Sequence, residues 1–359
     1  MQISSFSIRA LMVAFWIGII LLFLCLPFLS SLVSTEKAIN IMSWTELIDP
    51  HIIKEFEKKT GIKVHVSYFE SNEELYARVK ATGGAGFDLL VPSDYAMPWL
   101  LKDDLLKPLD RTKITLWDRL DPRLLDHEYD PKNKYSIPYL WQLYGLAVDT
   151  ALFSHNKVPQ ATWGLLFDRS FGANCVVMPD VAREVLLIAA LYLFGSTDNL
   201  DQDKLEKIKS LLLEQKHWVA AYSEMRADFL LTSGVCSVIV SQSPLMWRIT
   251  RQHDNIQFII PQEGTFVVID NFVIPKNSDK EDYVYQFINF LYEPQNIRYH
   301  FSTYRFFPAT IDLLSLMQEV PGGQSVKNAI AQVTRNIHFF KNTISEKQIK
   351  NIWVALKGS

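Results

Sequence analysis

Ile41-Met42-Ser43-Trp44-Thr45-Glu46 reads as the end of an apolar strand that runs straight into an aromatic ring, a hydroxyl and a carboxylate. Ala38 to Ser43 supply the strand itself. Downstream, Asp49-Pro50 has the form of a helix start, a capping carboxylate followed by proline at the first helical position. Ile52, Ile53 and Phe56 give that helix its inward face, and Gly61 stops it. Ile62, Val64, Val66 and Tyr68 then alternate with Lys63, His65 and Ser67, the period-two pattern of a half-buried strand. Asn72 is placed to cap a second helix reaching Lys80, and Thr82-Gly83-Gly84 turns the chain into a third strand, Phe87 to Val91. Strand, helix, strand, helix, strand calls for a parallel sheet with right-handed crossovers, and in such sheets ligands bind at the carboxyl ends of the strands. The third strand ends in Pro92-Ser93-Asp94-Tyr95, again polar and aromatic. A cation with an apolar body suits such ends: a ring face attracts positive charge and a carboxylate adds a charge-assisted hydrogen bond. On these residues alone, Trp44 reads equally well as half-buried core, and Thr45 or Glu46 as a cap for the next helix.

The chain continues through a stretch punctuated by Pro108, Pro122, Pro131 and Pro138, with little periodicity. Tyr135 to Trp141 is strand-like, and Tyr144 to Val148 keeps that character. From Cys175 the alternation resumes, with a strand from Val176 to Pro179, a very apolar helix from Ala182 to Phe194 and an amphipathic one from Asp203 to Leu213. Val235 to Val240 and Val267 to Pro275 read as strands, and helices near Asp282 to Leu291 and Glu346 to Leu356 finish the chain. The Ala182 helix is too short to span a bilayer and belongs to a core. Two sheet-forming blocks joined by extended segments imply an α/β chain of two lobes with a cleft between them.

A length of 359 residues fits about two domains. With 48% apolar and 21% charged residues the composition is that of a globular protein, without a large disordered segment. A net charge of −3 gives no electrostatic case for nucleic acid or an anionic membrane surface as partner. Ala10 to Leu29 carries no charge, follows Arg9 and is long enough to span a bilayer. It is a secretory signal or an uncleaved anchor, and either one exports the remainder. Its length argues for an anchor; Ser30, Ser31 and Ser34 argue for cleavage. Cys25 follows the bulky Leu24, a poor context for lipoprotein processing. Outside the cytosol Cys175 and Cys236 could pair, yet both lie in short apolar strand-like runs, so buried free thiols are the expectation.

Enzymatic signatures are missing. None of the eight histidines lies close to another in the chain, and there is no nucleophile elbow, P-loop or dinucleotide fingerprint. Asp198, Asp201 and Asp203 lack the turn glycine of a calcium loop and are expected to cap the next helix. No catalytic residue, metal or cofactor is assigned.

Taken in order, Trp44-Thr45-Glu46, Glu57-Lys58-Lys59-Thr60-Gly61-Ile62-Lys63-Val64 and Glu70-Ser71-Asn72-Glu73 resemble the opening of the spermidine/putrescine-binding receptors of bacterial ABC importers. The likeness continues through Asp88 to Tyr95, Tyr135 to Tyr139, Ala182-Arg183-Glu184-Val185, Asp270 to Pro275 and Ile288 to Leu291, and weakens after about residue 310. It implies a two-lobed type II periplasmic-binding-protein fold, each lobe a doubly wound sheet. Residues 36–148 plus about 271–310 would form one lobe, and 149–270 plus about 311–359 the other, after a leader or anchor over 1–35. Ligand would lie in the cleft, and hinge closure would present a surface to a permease. Carried over by position, Trp44 and Tyr95 would be aromatic walls, Ser93 and Glu46 polar contacts, and Glu184 and Asp270 the acceptors of ammonium groups. Glu184 at a helix start and Asp270 in a turn also have purely structural readings.

The sequence departs from the family pattern at Leu47 and Val268, where aromatics are expected, at Ser241 or Gln242 in place of a second-lobe aromatic, and at Val181 in place of an aspartate, with Asp180 beside it. A cleft glutamine would fall near Phe339. Tyr139, Trp141 and Tyr144 either rebuild a wall or fill the hinge core, the latter being expected. The implied function is the periplasmic substrate-binding component of an importer: a monomer that binds a polyamine and docks on an inner-membrane ABC permease, tethered to that membrane if residues 10–29 stay uncleaved. The alternatives are the same fold binding a different small amine, or a membrane-tethered sensor without a transport role.

Overall fold

The computed structural model describes residues 37–153, 160–319 and 336–358. The leader or anchor expected within 1–35, with Cys25, lies outside them; among the described residues no helix is long and apolar enough to cross a membrane. The strands in chain order are β1 (Ala38–Ser43), β2 (Lys63–Tyr68), β3 (Leu89–Leu90), β4 (Ser136–Asp149), β5 (Val176–Met178), β6 (Val219–Tyr222), β7 (Val238–Gln242), β8 (Ile256–Ile259), β9 (Thr265–Val273), β10 (Phe307–Pro308) and β11 (Ile337–Phe339). They follow the spatial order β2-β1-β3-β9-β4-β7-β5-β6, with β8, β10 and β11 attached to β4 or β9.

The opening block forms as its pattern dictates. β1 lies between parallel β2, which pairs along its whole length, and parallel β3, which pairs at Ile41 and Met42, and this interior position suits its apolar run. Asp49 caps the helix Pro50–Thr60, its carboxylate accepting from the backbone N–H groups of His51 and Ile52, and Gly61 ends it at φ +71°, a left-handed turn that glycine adopts without penalty. The next helix, Asn72–Thr82, is capped by Ser71 and not by Asn72. Asn72 is instead buried, and its Oδ1 accepts from the Ser93 backbone N–H at 3.0 Å.

The two strand-like runs around residues 135–148 are one strand of 14 residues, β4. Its first part pairs antiparallel with β9, from Ser136↔Val273 to Leu143↔Val267, with a register shift between Pro138 and Leu140 that accommodates a residue lacking an N–H. Its second part pairs with β7, from Tyr144↔Gln242 to Val148↔Val238. β4 therefore carries the chain from one sheet block to the other. Leu143 packs with Ile39, Ile41, Phe56 and Phe272 in the first core, whereas Tyr144, Leu146 and Val148 pack with Val176, Leu187 and Val238 in the second. β9 is shared as well, with Val267 and Ile269 on the first core and Phe266 and Val268 on the second. Helix Ala182–Phe194 is buried from Arg183 to Leu191, as expected for a helix apolar on every side.

The free-thiol expectation for Cys175 and Cys236 is overturned. The two form a disulfide with Cα atoms 4.9 Å apart, inside the usual range for such bridges. The reason lies in register. β5 and β7 pair in parallel with Val176 opposite Val238, which sets Cys175 beside Ser237 and within reach of the adjoining Cys236. Each run read alone is apolar; only the pairing brings the sulfurs together.

Candidate ligand-binding site

The carboxyl end of β1 is held in an unusual backbone path. Glu46 adopts φ +67°, uncommon for a residue with a side chain, and the turn is pinned from below. The Nε2 of buried His300 lies 2.9 Å from the Glu46 carbonyl oxygen, the Tyr139 hydroxyl donates to the Leu47 carbonyl at 3.0 Å, and the Tyr304 hydroxyl donates to Asp49 Oδ2 at 2.8 Å. Burial lowers the His300 pKa to about 4, so the ring is neutral at physiological pH and donates its Nε2 proton to that carbonyl. The turn projects Trp44, whose ring packs on Phe69 with centroids 4.4 Å apart.

At the end of β3, Ser93 bridges to Asp270 of β9, and its hydroxyl donates to Asp270 Oδ1 at 2.8 Å. Asp270 and Val268 share one face of β9; Gln142 and Tyr144 share one face of β4, with Gln142 opposite Val268. From the second block come Glu184, in the first turn of its helix, Asp180 just ahead of it, Glu224 at the start of helix Glu224–Thr232, and Gln242 at the end of β7. Together these residues surround a cavity of about 270 Å³ between the two cores.

All six residues singled out from the sequence line this one cavity: Trp44, Glu46, Ser93, Tyr95, Glu184 and Asp270. Leu47, Val181, Val268 and Gln242 line it too, as do Gln142, Tyr144, Glu224 and Phe306, which sequence reading did not assign to a site. Tyr139 and Trp141 belong to the first core, whereas Tyr144 reaches the cavity wall. Phe339 lies outside the cavity, against His127 at 4.8 Å between ring centroids. Glu46 is exposed, and its carboxylate meets Arg248 at 3.0 Å.

The electrostatics are one-sided. Among the described residues that line the cavity there are six carboxylates, Glu46, Glu70, Asp180, Glu184, Glu224 and Asp270, and no lysine, arginine or histidine. Burial pushes the Asp270 pKa up to about 7, against the opposing hydrogen bond from Ser93. Burial, and then the charge of Glu224, hold Glu184 well above the ordinary carboxylate range, although the Tyr144 hydroxyl works the other way. Glu224 is raised by desolvation between the lobes and by Asp180, although its side chain reaches solvent. The Gln242 amide donates to the Tyr144 hydroxyl, which donates to Glu184 Oε1, each at 2.8 Å. Glu184 Oε2 and Gln142 Oε1 are buried with no hydrogen-bond partner among the described residues. Buried acceptors left unmatched are destabilising by about 1–3 kcal/mol each; a donor-rich cation would satisfy them. Among the described residues no group of three or more His, Cys, Asp or Glu stands ready to hold a metal ion.

Comparison with known proteins agrees with this geometry. The model of the bacterial extracellular solute-binding protein family matches residues 51–321. A spermidine/putrescine-binding periplasmic protein of Haemophilus influenzae is 30% identical over 259 residues, covering 72% of this chain and 71% of that protein. The corresponding protein of Salmonella typhimurium is 28% identical over 261 residues, covering 73% and 74%. The solved structure of a spermidine/putrescine ABC transporter substrate-binding protein from Streptococcus pneumoniae superposes with a TM-score of 0.76 at 25% identity, covering 90% of this chain and 99% of that one. These matches bear out the two-lobed α/β architecture. This chain belongs to the bacterial extracellular solute-binding protein family.

Proposed function

We propose that the protein captures a polyamine such as spermidine or putrescine in the cavity between its lobes and delivers it to an ABC permease of the inner membrane. The observation that carries this reading is the lining itself, six carboxylates with no basic side chain. An anion, or the carboxylate of an amino acid, would meet acceptors and negative charge there, whereas an ammonium gains a charge-assisted hydrogen bond at each carboxylate it reaches. In this reading Asp270 and Glu184 take the ammonium groups, Trp44 and Tyr95 wall the methylene chain, and Ser93 orients Asp270. Glu46 contributes only by exchanging Arg248 for the ligand. The named relatives support the ligand class. A different small amine is the second reading, favoured by Val268 and Gln242, which offer no ring where the family pattern has one.

The lobes we infer meet within β4 and β9, with residues 37–143 and 267–319 on one side and 144–266 and 336–358 on the other, in place of the boundaries near 148 and 270 expected from sequence. As a member of a solute-binding family the protein is a binding component and not an enzyme, and it works outside the cytoplasm. The periplasm, a monomeric state and docking on a permease are part of the proposal. A thermal-unfolding screen of the full chain tests the ligand class. Spermidine and putrescine are expected to raise the melting temperature, whereas zwitterionic and anionic amino acids are not; stabilisation by amino acids alone would refute the reading.

A further inference from the structure

Helix Ala182–Phe194 opens against the usual rules. Arg183 stands in its first turn, where the helix dipole disfavours a positive charge, and its side chain is only 2% exposed, although an arginine is seldom buried unless its charge is well matched. The Nη2 pairs with the carboxylate of Glu346, which starts the helix Glu346–Gly358 on the same side of the cavity. Glu346 is itself largely exposed, so that pair alone does not call for burying the arginine. The Nε and Nη1 are buried with no hydrogen-bond partner among the described residues.

What covers the arginine comes from the other lobe. Its Cζ lies 5.5 Å from the centroid of the Trp99 ring, on the short helix Met97–Lys102 that follows Ser93 and Tyr95. Trp99 packs against the second core, as does Tyr95, and the two rings meet edge to face at 6.0 Å. Glu73, in the first turn of helix Asn72–Thr82, lies within electrostatic reach of both Arg183 and Glu346, so a first-lobe carboxylate also faces the guanidinium. Tyr95 lines the cavity, but Arg183 and Trp99 do not. A contact between lobes that leaves the ligand untouched acts on the balance between open and closed forms alone. We propose that Arg183 is the closing latch of this protein: seated on Trp99, it holds the second lobe against the first and sets how long a ligand stays. A guanidinium sheds water readily and is strongly attracted to an indole face once desolvated; when the lobes part, both groups return to water. Arg183 directly precedes Glu184, so the helical turn offered to the ligand is also the turn that carries the latch. The inference rests on the reading of two lobes that close around a ligand, and adds to it the residues outside the cavity that keep them closed.

The test is the rate at which radiolabelled spermidine leaves the full chain on dilution into unlabelled ligand, for the wild type, Arg183→Met, Trp99→Leu and the double variant. Each single variant is expected to release spermidine about tenfold faster, with an association rate that changes far less. Because the two residues act through one contact, the double variant is expected to release it no faster than the quicker single variant. Trp99→Leu lies in the other lobe from Glu184, so its agreement with Arg183→Met separates a latch from a local disturbance of the ligand acceptor. Thermal unfolding of each variant reports whether it is folded. An unchanged release rate in folded Arg183→Met overturns the latch, as do effects that simply multiply in the double variant, and both results leave the polyamine reading standing. If the wild type binds neither spermidine nor putrescine, the polyamine reading fails, and the latch is decided on the ligand-free chain by the same four proteins: losses of thermal stability that are less than additive in the double variant uphold the contact, and additive losses overturn it.

Discussion

Ser93 and Asp270 are 177 residues apart in the chain, yet the serine hydroxyl donates to the aspartate Oδ1 at 2.8 Å. The contact joins the carboxyl end of β3 to β9, the strand both cores share, and it fixes the orientation of a carboxylate that has no basic partner among the described residues. Burial holds that carboxyl near a pKa of about 7, where small changes of pH decide whether it can receive a cation.

Affinity for an amine should therefore depend on pH. A bound ammonium favours ionised Asp270, so binding releases a proton whenever the free protein carries one there. Below pH 7 the affinity is expected to fall by up to about tenfold per pH unit through this group, and above about pH 7.5 to level off. Titrations from pH 5.5 to 8 in buffers of different ionisation enthalpy measure both the slope and the proton release, and Asp270→Asn should remove the part of the slope due to this group.

The same group links to stability with a definite sign. Its pKa in the folded, ligand-free protein is above the ordinary value of about 3.9, so its contribution is fully present at low pH and is lost as pH rises from about 4 through 7. Asp270→Asn is expected to leave stability near pH 4 little changed and to stabilise the ligand-free protein at pH 8 by about 1–4 kcal/mol. Denaturant unfolding at the two pH values checks this. A residue kept for binding at the expense of stability should behave in this way.

Tyr144→Phe removes the hydroxyl that donates to Glu184 and accepts from Gln242. The Glu184 pKa should rise further, and amine affinity at pH 7 should drop about tenfold, the equivalent of losing one hydrogen bond to a charged group. Calorimetry on a variant with an unchanged circular dichroism spectrum separates this from misfolding.

Arg248→Ala frees the Glu46 carboxylate, which now pairs with the arginine at 3.0 Å. Both side chains reach solvent, and such pairs are worth about 0–1 kcal/mol. A tightening of amine binding by no more than about fivefold is expected, shrinking as salt is added. Titration at low and high ionic strength provides the comparison.

The Cys175–Cys236 bridge closes a loop with a sequence separation of 61 residues. The chain-entropy argument gives about 4 kcal/mol for a loop of that size. Cys175→Ala with Cys236→Ala should lower the melting temperature by several degrees while leaving amine affinity nearly unchanged, since neither residue lines the cavity. Thermal unfolding with and without ligand tests both halves.

Where sequence pattern and structure agree, the information was local. The Asp49-Pro50 cap, the Gly61 stop, the alternation in β2 and the apolar helix Ala182–Phe194 each depend on neighbours within a turn or two. So do Trp44, Ser93 and Tyr95, because ligand-facing residues of an open sheet cluster just past strand ends. What escaped depends on register between distant segments. Gln142 and Leu143 separate two strand-like runs that are in fact one strand, and only its pairing with β9 and β7 puts Gln142 and Tyr144 on the cavity wall. A lone Gln within an otherwise apolar and aromatic strand was the available signal. Asn72 carries the composition of a cap but serves the Ser93 backbone across the fold, and the disulfide follows from β5 and β7 lying side by side. Glu224 carries no sequence signal of its own: it starts the helix Glu224–Thr232, and only the fold brings Glu184 and Asp180 beside it.

The central claim is that the acidic cavity binds a polyamine-type cation. Its most direct test is calorimetric titration of the full chain, freed of ligand by unfolding and refolding under non-reducing conditions, with spermidine and with putrescine at pH 7.5. The account predicts binding of at least one of them at micromolar or lower concentration, with proton release, and marked weakening in Asp270→Asn and Trp44→Ala. No heat and no thermal stabilisation from either compound, in a sample shown to be folded, would contradict it.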